Sequence, residues 1–373
     1  MAGKGTASLH RKKSKSIVYQ FFDLTKKESV FITIIAFLLF AAGAITPYPN
    51  VAMWFGFALA GYSAIANDSI QTIGTFIASN GEKKWYHLWL YIGLIFLATV
   101  TYSWIVYDGD VSHQRLATKG FSEAPTSFTF LQLAAPLILL ILTRMRMPVS
   151  TTFLLLNAFS SEADAIFKVL KKSLTGYFVA FIVAIIVWLL VAHFVDKYMK
   201  GKPAKWWLPV QWLTSGALWA AWIMQDAANI AIFLPRSLNL WQFVGFAGYI
   251  FLGLGLLFYM RGDRIQGIVQ EKSGVTDIRA ATIVDFVYAI LLYYFKGVSQ
   301  IPMSTTWVFI GLLGGRELAI AFVKRRSSSK KSGKGMGKAV KMLGRDALYA
   351  AIGLVISIIL AIAINEELRA ELF

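Results

Sequence analysis

Apolar stretches separated by short polar connections run along almost the whole chain, each near the length needed to cross ~30 Å of hydrocarbon as an α-helix. Spans are predicted at Ser29–Pro47, Val51–Ser79, Trp85–Tyr107, Phe128–Arg144 and Pro148–Phe159 in the first half. The second half offers Leu174–Asp196, Leu208–Pro235, Leu240–Met260, Ala280–Phe295 and Ile301–Val323, and a last helix follows at Asp346–Asn365. The runs are continuous rather than alternating, which fits a helix bundle and not a barrel. The fifth element is short and is followed by a stretch of mixed charge, so it reads as a re-entrant segment or half-helix.

Two polar interruptions inside this pattern recur. "AIANDSIQTIG" from Ala64 has a weak counterpart in "WIMQDAANIAI" from Trp222, and "RMPVSTTF" from Arg146 has a strong one in "QIPMSTTW" from Gln300. Asp68 pairs with Asp226 and Pro148 with Pro302, in the same order and at nearly the same separation. Each repeat holds an odd number of spans, so the second enters the membrane in the opposite sense. That is the inverted-topology pattern of secondary transporters, in which paired broken helices meet near the bilayer midplane and line a cavity. The expected fold is therefore an all-α integral membrane protein, an inverted-topology repeat transporter with about 10–12 transmembrane helices and two pairs of broken or half-helices.

Composition agrees with a membrane environment: 57% of the 373 residues are hydrophobic, 15% are charged, and mean hydropathy is +0.59. The formal charge of +17 sits between spans and at the N-terminus, where basic residues set orientation rather than bind nucleic acid. With the N-terminus cytoplasmic, the connections containing Lys83 and Lys84, Arg144 and Arg146, 196–205 and 261–279 all fall inside, as expected for a multi-pass protein of a plasma (inner) membrane. The stretch 324–345 carries nine basic residues and no acid. Most simply it is a solvated loop that sets topology; binding of anionic lipid is the alternative. The predicted organisation is a basic cytoplasmic tail (1–28), a first transmembrane repeat (29–160), an amphipathic connector (161–173), a second, inverted repeat (174–323), a basic flexible cytoplasmic loop (324–345) and a final helix with a short tail (346–373).

An isolated carboxylate at membrane depth needs a cation, a basic partner or a proton. No Lys or Arg lies within six residues of Asp68 or Asp226 in sequence. Amide and hydroxyl oxygens do accompany them. Asn67, Asp68 and Gln71 in one half, with Gln225, Asp226 and Asn229 in the other, form a hard-ligand set suited to an alkali cation such as sodium. Interhelical hydrogen bonding is the structural alternative. The Pro-x-Ser-Thr-Thr copies suggest the opposite ligand. A proline before a helix start leaves backbone N–H groups at a positive dipole end, and Ser150, Thr151, Thr152, Ser304, Thr305 and Thr306 add hydroxyl donors there, a site for a small oxyanion. Alone, each triplet would be an ordinary N-cap; the duplication argues for more. A cation bound beside an anion favours it, which is the coupling a symporter needs.

On these motifs the chain resembles the inorganic phosphate transporter (PiT) family, whose halves carry a Gly-x-Asn-Asp-x-x-Asn motif and a later Pro-x-Ser-Thr-Thr motif. The resemblance spans about Ser29 to Val323. It implies symport of phosphate with sodium or protons, with the Asn-Asp motifs serving the cation and the Ser-Thr motifs the phosphate. This sequence departs from the pattern in having Gln71 and Gln225 for Asn, Ile65 and Ile223 for Gly, and Phe153 and Trp307 where His is common. Sulfate in place of phosphate, and protons in place of sodium, stay open at this point, as does a homodimer.

The remaining polar residues carry less. Asp285, Arg316 and Glu317 are expected in ion pairs or headgroup contacts. Arg236 is expected as a snorkelling interfacial residue or a greeter of an incoming anion, and His193 as a helix-end residue or proton site. Zero cysteines and four scattered histidines exclude thiolate chemistry and give no metal-ligand spacing. No nucleophile–base–acid set stands out, so no enzymatic activity and no cofactor are expected. An uncoupled channel or receptor of the same fold is the competing class.

Overall fold

The computed structural model describes residues 28–117, 120–145, 149–160, 162–198, 201–260, 277–298, 301–327, 332–364 and 369–370. Residues 1–27 of the basic tail and Pro148 lie outside the described residues, as do the side chains of Asn67, Gln71 and His193. The described residues hold helices and no strand: α1 (Ser29–Ile45), α2 (Pro49–Ser63), α3 (Ser69–Ser79), α4 (Trp85–Val106), α5 (Phe130–Arg144), α6 (Ala163–Tyr198), α7 (Trp207–Ala231), α8 (Leu240–Tyr259), α9 (Ile278–Val298), α10 (Thr305–Ser327) and α11 (Ser332–Ile364). Each predicted span has its helix except the fifth, Pro148–Phe159, whose described residues form a π turn at Thr152–Leu156 and a 3-10 turn at Asn157–Phe159. Six of these helices are long and apolar enough to cross a membrane, and α1 and α5 are shorter apolar helices. Exposed Phe37, Phe40, Leu190, Trp241, Leu252 and Ile359 form the kind of apolar exterior that lipid covers.

Three elements differ from expectation. The segment 161–173 is not a separate connector, because α6 begins at Ala163 and runs through it. An exposed Asp164–Lys168 ion pair one turn apart supports that start. The basic stretch 324–345 is largely helical rather than a flexible loop, divided between the end of α10 and the start of α11; its Lys, Arg, Ala, Met and Leu residues favour helix enough to outweigh interspersed glycines. Finally, only the first copy of the acidic motif interrupts its helix. A π turn at Ala64–Asp68 joins α2 to α3, whereas α7 runs unbroken through Asp226, carried by the helix-favouring Ala227 and Ala228.

Packing fixes the motif-bearing helices against each other. In α6 and α10, Gly311 meets Tyr177 and Gly315 meets Phe181, so the two run parallel. At both glycines an added Cβ would sit within 2.4 Å of a backbone carbonyl oxygen, the close approach that small residues four apart permit in membranes. The end of α3 meets the start of α7, where Asn80 donates to Gln211 at 2.8 Å. The Asp68 and Asp226 ends of these helices also lie close enough for their carboxylates to repel, so α3 and α7 are antiparallel.

Candidate functional site

The two Ser-Thr-Thr triplets are built alike. Ser150 Oγ accepts the Phe153 N–H at 3.2 Å, and Ser304 Oγ accepts the Trp307 N–H at 3.1 Å, both in N-cap geometry. Helix starts after each serine, a π turn at Thr152–Leu156 in the first copy and α10 in the second. The copies face each other: the Thr152 hydroxyl donates to the Met303 carbonyl at 3.1 Å, and the Phe153 and Trp307 rings lie 5.1 Å apart.

Both carboxylates point at these triplets. The Thr151 hydroxyl donates to Asp68, and the Thr305 hydroxyl donates to Asp226 at 2.5 Å. Asn229 Nδ2 donates to Asp226 at 2.5 Å and to Thr152 Oγ1 at 3.2 Å. A bonded chain therefore runs from Asp226 through Asn229 and Thr152 to the Met303 carbonyl, just ahead of the second triplet. The residues expected to serve two separate ligands form one network. Asp68, Asp226, Gln225, Asn229 and the six triplet residues are each no more than 3% exposed, so a ligand here would be enclosed by protein.

Two buried oxygens of the expected cation set, Gln225 Oε1 and Asn229 Oδ1, have no hydrogen-bond partner among the described residues. Their orientation follows from their amide nitrogens: Gln225 Nε2 donates to the Leu292 carbonyl at 2.8 Å and Asn229 Nδ2 to the Asp226 carboxylate, bonds that only an N–H can make. Asn229 Oδ1 lies beside the carboxylate that its own Nδ2 reaches, and unpaired carbonyl oxygens of this kind are donors a hard cation takes.

Several neighbours carry no local sequence signal. Tyr288, fully buried on α9, donates its hydroxyl to the Thr305 carbonyl at 2.9 Å. Asp285 makes no ion pair among the described residues, and at 1% exposed it is buried away from any headgroup; it accepts the hydroxyls of Thr75 at 2.7 Å and Ser215 at 2.5 Å. Its position inward of the start of α9, facing α3 and α7, accounts for the difference. Arg316 and Glu317 do pair, at 2.6 Å. Arg236 donates to the carbonyls of Phe121, Glu123, Ile232 and Leu234, which makes it a clamp on the 107–129 loop.

That same loop delivers Arg115. His113 and Gln114 take φ values of 52° and 62°, a left-handed conformation uncommon for such residues, and Arg115 follows with no exposed surface. Its Nη1 donates to the Ile301 carbonyl at 3.2 Å and its Nε to the Met224 carbonyl at 3.4 Å. From there it attracts Asp226. Burial lowers the Arg115 guanidinium to about 10, which leaves it charged at neutral pH. Burial also lowers His113 to about 4, helped by the Lys296 and Arg115 charges. The loop's apolar residues Val111, Leu116 and Phe121 are buried alongside Arg115.

No protein-family model matches this sequence, and no curated protein does either. A solved structure described as the sodium-dependent phosphate transporter does match in three dimensions. It shares 17% sequence identity, superposes with a TM-score of 0.54, and the match covers 84% of this chain and 98% of that one. The chain thus has the fold of that transporter and holds nearly the whole of its architecture.

Proposed function

We propose that this protein is a secondary active symporter that moves inorganic phosphate with sodium by alternating access between two inverted halves. The observation that carries this reading is the convergence of four sequence motifs into one buried network, with a carboxylate of each half held by the Ser-Thr-Thr triplet of the same half. The antiparallel sense of α3 and α7 and the opposed triplets support inversion. Asp68 and Asp226, with the unpaired oxygens of Gln225 and Asn229, would hold the cation. Asn67 and Gln71 complete that set in the sequence reading. Ser150, Thr151, Thr152, Ser304, Thr305 and Thr306 would hold the anion. The fold likeness to a sodium-dependent phosphate transporter supports the pairing of these two ions.

In this reading the end of the bundle carrying Lys83, Lys84 and Arg144 is cytoplasmic, as basic residues favour, and the 107–129 loop faces the outside. A bound sodium offsets the mutual repulsion of the two carboxylates and the charge of the anion, so each ligand raises the affinity for the other. The test is accumulation of labelled phosphate in proteoliposomes under an imposed sodium gradient, with proton-gradient and sulfate-competition arms. Sodium-driven uptake that both Asp68→Asn and Asp226→Asn abolish is the expected result. Folded protein that accumulates no phosphate under either gradient would refute it.

A further inference from the structure

The end of the bundle nearest the second Ser-Thr-Thr triplet gathers cations from three separate elements. Lys172 of α6 reaches the same carbonyl as Arg115: its Nζ lies 2.5 Å from Ile301 O, and Arg115 Nη1 lies 3.2 Å from that atom. Lys296, in the last turn of α9, is close enough to Arg115 for the two charges to repel, as are Lys172 and Arg115. Asp226 attracts Arg115, while Lys172 and Arg115 repel each other, and an anion between those two would reverse the sign of their interaction.

The carbonyl these cations share lies three residues ahead of the triplet. Ile301 lies just ahead of Pro302 and Ser304, and the residue after Lys172, Ser173, accepts the Ser304 N–H on its hydroxyl at 2.8 Å. Anything bound between Arg115 and Lys172 thus lies next to the start of α10, whose dipole favours negative charge. The left-handed pair His113 and Gln114 turns the loop inward at the residue that supplies Arg115.

We propose that Arg115, Lys172 and Lys296 form a receiving site for a tetrahedral oxyanion at the mouth of the second triplet, from which the anion passes to Ser304, Thr305 and Thr306. This rests on reading the triplets as the oxyanion site. Arg115 offers a planar fork of donors and Lys172 a point charge, a pair suited to phosphate or sulfate.

The test uses the full-length protein with inorganic phosphate as the probe, measuring equilibrium binding of labelled phosphate and the KM for uptake at saturating sodium. Lys172→Met keeps the packing of the stem while removing the charge, and is expected to raise the phosphate KM about tenfold, the loss of one charge-assisted contact, with the half-saturating sodium concentration unchanged. Lys296→Gln should raise it a few-fold. Because Arg115 is buried, so that Arg115→Gln risks misfolding, Arg115→Lys serves beside it; charge alone should preserve part of the affinity. An unchanged phosphate KM in both Lys172→Met and Arg115→Lys, with wild-type transport intact, would overturn the receiving site and leave the symporter reading standing. Wild-type protein that binds phosphate in a Lys172-dependent way without accumulating it would uphold the receiving site and refute symport.

Discussion

Gln225→Met separates a cation-binding amide from a structural one. Gln225, which precedes Asp226 in sequence, is 1% exposed, donates to the Leu292 carbonyl at 2.8 Å, and leaves its Oε1 without a partner among the described residues. Methionine has nearly the same length and volume and no polar atom to satisfy. In the absence of sodium the substitution removes one hydrogen bond, at about 1 kcal/mol, and relieves one buried unpaired oxygen, at about 1–3 kcal/mol, so stability should stay level or rise slightly. With sodium the outcome differs. Loss of an oxygen facing a cation should cost about 1.5–3 kcal/mol, by analogy with a hydrogen bond to a charged group, which raises the half-saturating sodium concentration roughly 10- to 150-fold. The assay is thermal unfolding of purified protein across a sodium titration, paired with the sodium dependence of uptake. A half-saturating concentration within about twofold of wild type, by the scale of that same contact, would refute the assignment of Gln225 to the cation.

Other perturbations test the frame around the site. Gly311→Ala and Gly315→Ala each drive a Cβ into a backbone carbonyl of α6, at 2.4 Å from Tyr177 O and 2.2 Å from Phe181 O; each should destabilise by about 1–3 kcal/mol, read as a lowered Tm, and an unchanged Tm in both would contradict the close helix approach. Asp285→Leu strands the hydroxyls of Thr75 and Ser215 and should cost about 1–3 kcal/mol in total, whereas Thr75→Val combined with Asp285→Leu should recover part of that loss. His113, lowered from 6.5 to about 4, stays neutral in the folded protein while the unfolded chain takes up a proton. Its contribution to stability is therefore whole above pH 6.5 and is lost as pH falls toward 4, by roughly 3 kcal/mol. His113→Asn, which tolerates the left-handed backbone, should flatten that part of the pH–stability curve.

The spans were legible because lipid imposes long apolar runs, and the motif residues were legible because polar groups stand out against them and because they occur twice. The helix through 332–345 was misread for a related reason: Lys, Gly and Ser resemble a loop by composition, while the helical tendency of Lys, Ala and Met acts only once the chain is held at both ends. Asp285 was visible as a buried carboxylate but not its partners, since Thr75 and Ser215 come from helices far away in sequence. Arg115 left almost no signal. A single arginine in a mixed loop becomes a core residue only through the two left-handed residues ahead of it, and neither is a glycine that would mark such a turn.

The pairing of motifs within each half was the least readable feature, because Thr151 and Asp68 are 83 residues apart and Thr305 and Asp226 are 79. Spacing within each motif suggested two sites, one for each ion. The contacts join them, and the difference has a chemical consequence. A threonine hydroxyl carries one proton. While Thr305 donates it to Asp226, that proton is not available to an oxyanion; a cation that takes over the carboxylate's charge frees it. The two ligands would then share the same hydroxyls, and coupling between them would follow from the bonding itself, without a signal passed between separate sites.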